Sequence, residues 1–212
     1  MRFVVLVEGH MERMAVHGFL KKWLDARLDP PIGVRVRMFQ GKDHYRRECP
    51  KVARTYLEGP DSGDIIGVIG LLDLCGPTWF PERITDCIGR SAWATEEFER
   101  AVDDERFRQF FAVHDVEAWL LSDPALFSGP MRTAITKIKE PEKVNFTRPP
   151  SKVLAELFSQ HRPYGYGKTT DGRDLLSRLD PDVAVKKCPA LRELLDTMVD
   201  MATERGCRRR AG

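Results

Sequence analysis

Long hydrophobic runs are missing from this sequence. The apolar stretch in MRFVVLVEG is far too short to cross a bilayer and lacks the small-residue cleavage pattern of a secretory signal, so a cytoplasmic protein is expected, with no membrane partner. Cysteine is sparse. The five residues Cys49, Cys75, Cys87, Cys188 and Cys207 are odd in number, scattered and never in a CxxC pair, which argues against a disulfide framework or a zinc ribbon and for reduced thiols.

Several catalytic motifs are absent as well. GKT at 167–169 lacks the first glycine of a Walker A loop, because position 162 is Arg162, so an ATP site is not supported. The fragments His10 to Glu12 and His114 to Glu117 complete no HExxH or clustered zinc spacing, which leaves zinc the minor option. No GxSxG elbow occurs, and no cysteine has the context of a nucleophile. None of Tyr45, Tyr56, Tyr164 and Tyr166 stands where a covalent topoisomerase intermediate would need it. No internal repeat is visible.

What is present fits one globular domain, or one with an appended helical segment, since 212 residues with ordinary apolar content can bury a core. The net charge of +2 is close to balance, but its distribution is not. Residues 82 to 105 are mostly acidic, while 132 to 168 carry an excess of lysine and arginine. The stretch containing Arg35, Arg37, Lys42, Arg46, Arg47, Lys51 and Arg54 is also basic, as a surface that displaces counterions from nucleic acid must be; a solvated surface has the same composition.

Along the chain, RFVVLV reads as a strand buried on both faces, and apolar residues at helical spacing from Met11 to Leu28 follow it until Pro30 and Pro31. VRVRMF alternates like a strand, a short helix is predicted around Tyr45 to Leu57, and IIGVIGLLD is a second buried strand. Residues 93 to 104 read as a surface helix, FRQFFAVH as a fourth strand and DVEAWLLSD as the helix entered from it. The predicted fold is therefore α/β, with a mainly parallel sheet of about four strands in an α/β core over residues 1–127. Residues 128–206 are expected to form an irregular connection, up to about position 150, and a helical C-terminal segment (KVLAELF, GRDLLSRL, ALRELLDTMVDMAT) packed on the core. The last residues, 207–212, read as a frayed basic tail.

Two predicted strands end in acids, Glu8 and Asp73, and ligands of parallel sheets bind outside the carboxyl ends of the strands. Two carboxylates brought together there would repel unless a hard divalent cation, magnesium or manganese, kept both ionised. Glu12, four residues after Glu8, faces back to the same edge if a helix begins near His10, and Glu117 follows the fourth strand; either could add an oxygen. His114 is placed to support Glu117 or to contact phosphate. Each has a plainer reading: Glu8 as a helix cap, Asp73 as a turn residue, Glu12 and Glu117 as solvated helix residues, His114 as a core histidine.

Together VEGHMER, LLDLCG and HDVEAWLLSDP resemble the TOPRIM superfamily of topoisomerases, primases, ribosomal-RNA maturation nucleases and OLD-type nucleases. Over nearly the whole length, including RPPSKVLAELF and YGKTTDGRDLL, the chain resembles a small stand-alone family described as domain of unknown function 4276. The resemblance implies a Rossmann-like TOPRIM fold with Glu8 as the strand-one glutamate, Glu12 as the second acid of ExxxE, and Asp73 as the first acid of a DxD whose second place is held by Cys75. Magnesium prefers oxygen, so that thiol weakens one metal position or leaves it to Glu117. Lys168 is the corresponding basic residue near a scissile phosphate, though on its own it reads as a loop cation. The implied activity is magnesium-dependent hydrolysis of DNA or RNA, in phage defence beside an AAA- or ABC-type ATPase, with room for a homodimer. A degenerate module that binds nucleic acid or a partner without cutting, and a ribosomal-RNA maturation nuclease, are the alternatives.

Overall fold

The computed structural model describes residues 1–74, 76–143 and 148–210, the side chains of residues 10–14 excepted. Cys75 and the side chain of Glu12 therefore lie outside the described residues. A parallel sheet holds the centre, with strands in the order β3 (Gly33–Met38), β1 (Arg2–Val7), β4 (Ile65–Asp73) and β5 (Phe107–Ala112). The sequence explains the order. All nine residues of β4 and five of the six in β1 are buried, as expected for inner strands covered on both faces. Both outer strands carry polar residues: β3 alternates exposed with half-buried positions, and β5 buried with half-buried ones.

Alternation along β1 divides the core in two. Phe3, Val5 and Val7 join the cluster under α1 (His10–Arg27) and the C-terminal helix α9 (Pro189–Glu204), while Val4 and Leu6 face α2 (Lys42–Glu58) and α3 (Cys87–Val102). Close approach requires glycine at position 70. At Gly70 in β4 a Cβ would come within 2.4 Å of the Tyr45 hydroxyl and 2.2 Å of Gln109 Oε1, the pair whose 2.9 Å hydrogen bond crosses the strand.

The structure departs from the sequence pattern in three places. α3 starts at Cys87, earlier than the apolar pattern shows, because the Asp86 carboxylate caps it by accepting the Gly89 N–H at 2.8 Å. The connection expected to be irregular contains α5 (Gly129–Thr136), which has Pro130 in its first turn and buries Met131 and Ile135 one turn apart. As far as Arg210 the basic end is not frayed: β6 (Arg208–Arg209) pairs antiparallel with β2 (Leu28–Asp29), and the Arg210 N–H donates to the Arg27 carbonyl at 2.8 Å. Among the described residues, no helix is long and apolar enough to cross a membrane.

Candidate functional site

β1 and β4 run in register, Val7 beside Leu71, so Glu8 and Asp73 leave the sheet at the same carboxyl edge from adjacent strands. They find different surroundings. Glu8 Oε1 lies 3.9 Å from the ammonium of Lys42, the first residue of α2. That lysine crosses Gly76, where a Cβ would stand 2.4 Å from its Nζ and where φ is +103°, so the loop after β4 needs glycine at this point. Asp73 instead reaches over the other face of the sheet. Its Oδ1 accepts the Val116 N–H at 3.1 Å, and its Oδ2 meets the Lys168 ammonium at 3.2 Å.

Beyond β5 the chain turns through His114, whose φ of 68° is left-handed and which is buried. That turn sends Asp115 and Glu117 back to the sheet edge, with Glu117 opening the short helix α4 (Glu117–Leu121), every residue of which is buried. Lys168 Nζ stands 3.5 Å from Glu117 Oε2, while Glu117 Oε1 accepts the Tyr166 hydroxyl at 3.2 Å. Asp115 Oδ2 accepts the Ser151 N–H at 3.2 Å, in the first turn of α6 (Pro150–His161). Three acids and one lysine are thus gathered from three separated segments.

Lys168 is held by local geometry. It begins a π-helical turn, Lys168–Gly172, a rare conformation that recurs at functional positions. The Asp171 carboxylate closes the turn by accepting the Gly167 N–H at 2.8 Å, and Arg162 pairs with Asp171 at 3.4 Å.

Burial sets the electrostatics. Asp73 is 5% exposed and Glu117 0%. Burial pushes the Glu117 carboxyl up to about 8, with Lys168 opposing the shift and Asp115 and Asp73 adding to it. Asp115 rises to about 6, from burial first and the neighbouring Asp73 charge second. Burial and the nearby Glu117 raise the Tyr166 phenol, which therefore stays a donor. Burial lowers the His114 imidazole, favouring its neutral form; Nε2 lies 3.9 Å from Cys87 Sγ.

A divalent ion can be tested against these residues. Among the described residues, no three His, Cys, Asp or Glu side chains already stand in metal-holding geometry. The donor chemistry nevertheless fits a hard cation. Asp115 Oδ1 and Glu117 Oε2 are buried without a hydrogen-bond partner among the described residues, and the positive charge beside Asp73 and Glu117 is a lysine ammonium.

Of the residues singled out in the sequence, the structure brings together Asp73, Glu117 and Lys168. Glu8 stands at the same edge with Lys42, and His114 shapes the turn into the cluster. Asp115, Tyr166 and Lys42 were missed as site residues. The acid-x-acid spacing of Asp115 and Glu117 after a strand could have flagged Asp115, whereas nothing local marks Tyr166. The site also crosses the boundary drawn at residue 127, since α6 and the turn at 168 supply Ser151, Tyr166 and Lys168.

Residues 7–199 match the family model described as a domain of unknown function, DUF4276. No curated protein matches the chain. Among solved structures, the C-terminal region of the Burkholderia pseudomallei OLD protein is similar at 18% identity, covering 93% of this chain and 98% of that one with a TM-score of 0.43. The C-terminal region of the Xanthomonas campestris pv. campestris OLD protein is similar at 17% identity, covering 96% and 97% with a TM-score of 0.46.

Proposed function

The chain belongs to the DUF4276 family, and we propose that it is a TOPRIM-type nuclease that hydrolyses phosphodiester bonds of DNA or RNA with magnesium or manganese. The observation that carries this reading is the pairing of Asp73 and Glu117 with Lys168 at the carboxyl edge of a parallel sheet, with Asp115 close enough to feel their charges and, among the described residues, two buried carboxylate oxygens of Asp115 and Glu117 lacking hydrogen bonds. Strongly perturbed acids grouped with a specific charge partner are a mark of working sites.

In this reading Asp73, Asp115 and Glu117 would hold the cation, with Glu8 at the neighbouring strand end, and Glu12 as the resemblance implies, as further oxygen donors. When bound, the ion supplies Lewis-acid polarisation of the phosphoryl oxygens. The protein's own groups do the rest. The N–H groups of Val116 and Ser151 and the Tyr166 hydroxyl fix the three carboxylates by donating to them. Lys168 pairs with Asp73 and Glu117 in the cation-free protein and, with a cation bound to them, would turn to the phosphate and offset the charge that grows in the transition state.

The test is to incubate the protein with plasmid DNA and structured RNA, with and without magnesium or manganese, beside Asp73→Ala. Cleavage that needs the cation and disappears in the variant is expected; equal activity in both proteins removes the site. Cutting of one defined RNA precursor with duplex DNA untouched would select the RNA-maturation alternative.

A second reading has its own support. Lys168 already stands between Asp73 and Glu117, as it would in a degenerate module that binds nucleic acid, or a partner such as an ATPase, without cutting it. Nucleic-acid binding with no magnesium uptake by calorimetry would favour that version.

A further inference from the structure

The acidic stretch at residues 82–105, which the proposed chemistry does not use, forms α3 and its approach, and beside it lies an open groove of about 900 Å³. The groove runs between α3 and the start of α9. Its lining is mainly apolar and includes Ile88, which is 83% exposed. Its charged members among the described residues are Asp86, Glu96, Glu99, Glu142 and Glu193 against the single base Lys143. A surface of this sign repels nucleic acid, so the groove is no extension of a phosphate-binding face.

The wall is built in. Glu142 is buried and accepts the N–H groups of Ala190 and Leu191 at 2.9 and 3.2 Å, fixing the first turn of α9. A smaller cavity of about 310 Å³, sharing Ser91, Thr95, Glu99, Ala190 and Glu193, continues along the outer edge of β5. An added strand is disfavoured there, because the Gln109 N–H already donates to Glu99 at 3.0 Å and its carbonyl accepts the Thr95 hydroxyl at 3.3 Å. Docking must then rest on side-chain burial and charge. We infer that this groove receives an amphipathic helix of a partner protein whose apolar face is flanked by lysine and arginine.

The probe is a fluorescent helical peptide with a leucine face and a lysine rim, added to the full chain, beside a scrambled peptide of the same composition and a leucine–glutamate analogue. The cationic amphipathic peptide is expected to bind and to slow amide exchange in α3 and the first turns of α9. Ile88→Asp should weaken it about tenfold or more, as loss of a central apolar contact does, and the Glu96→Lys, Glu193→Lys double variant should do the same. Both variants change exposed residues, and unchanged thermal unfolding confirms that they fold. Equal binding of the scrambled peptide, protection confined to other elements, or indifference to Ile88→Asp would overturn the inference. So would sedimentation that finds a dimer dissociated by Ile88→Asp, since the groove would then be a contact between copies of this chain.

Discussion

Two carboxylate–lysine groupings stand at one edge of the sheet, and they differ in depth. Glu8 and Lys42 are 3.9 Å apart with 16% and 24% of their side chains exposed, whereas Asp73 and Glu117 share Lys168 at 3.2 and 3.5 Å with 5% and 0% exposed. Water can still solvate part of the first pair. In the second, solvation must come from the protein: among the described residues one lysine, a phenol and two backbone N–H groups serve three acids, and Asp115 Oδ1 and Glu117 Oε2 have no hydrogen bond. Burying such a group at a cost to stability makes sense where an added cation recovers it. The deeper cluster is therefore the better candidate for the chemistry, and the shallower pair for support beside it.

The largest effect expected from this contrast is on activity. Asp73→Asn should lower phosphodiester hydrolysis by on the order of 10³-fold, equivalent to about 4 kcal/mol of transition-state stabilisation, measured with saturating manganese. Glu8→Gln should lower it by roughly 10–100-fold, as loss of a supporting group does. Equal losses would erase the distinction and place Glu8 in the same working set as Asp73.

Next comes the lysine. Lys168→Met leaves the buried acids without their counter-charge, and removing one partner from a buried pair costs about 3–5 kcal/mol; discounted because the lysine side chain is 42% exposed, roughly 2–3 kcal/mol is expected. The loss should appear at pH 8 in chelator and shrink towards pH 4.5, where Glu117 and Asp115, raised to about 8 and about 6 in the folded chain, are protonated and no longer need the counter-charge. Urea unfolding at the two pH values measures it, and a loss independent of pH would mean that Lys168 acts through packing alone.

How much of this could be read from the sequence differs between fold and site. The inner strands announced themselves, because RFVVLV and IIGVIGLLD are continuous apolar runs and only a doubly covered parallel strand asks for that. Asp73 could be found because it ends such a run. Its surroundings are harder to find: Lys168 is reached only through the family resemblance and Tyr166, which donates to Glu117, not at all, since both lie more than ninety positions from Asp73 in a segment whose composition resembles any loop, and only the packing of the C-terminal helices carries them to the sheet edge. The β2–β6 pair was hidden for a similar reason: a strand two residues long leaves no period to detect.

A smaller effect separates burial from charge pairing in the deep cluster. Glu117 has its carboxyl raised from the ordinary 4.5 to about 8, so between those values the folded chain holds a proton that the unfolded chain has lost. Stability from this group is therefore complete at low pH and falls as pH rises through the window. Glu117→Gln keeps the shape and removes the titration. At pH 8 in chelator the variant should be more stable than the parent by roughly 1–2 kcal/mol, with the difference vanishing near pH 4.5, while its hydrolysis is lost. Asp115, raised to about 6, leaves a shallower residual slope at lower pH. Added manganese should stabilise the parent above pH 6 and the variant far less, because binding needs the ionised carboxylates.

The smallest effect probes the shallow pair. In a double-mutant cycle of Glu8→Gln and Lys42→Met, read by urea unfolding, the two charges should show a coupling of about 0.2–1 kcal/mol, as partly solvated ion pairs do, and 0.5 M salt should reduce it. The same cycle on Asp73→Asn and Lys168→Met should give a larger coupling, less sensitive to salt, because Asp73 is buried even though the Lys168 side chain is 42% exposed. A Glu8–Lys42 coupling as large as the deep one would show that burial is not what distinguishes the two groupings. The cation-recovery argument would then have to extend to Glu8, with manganese abolishing both couplings together.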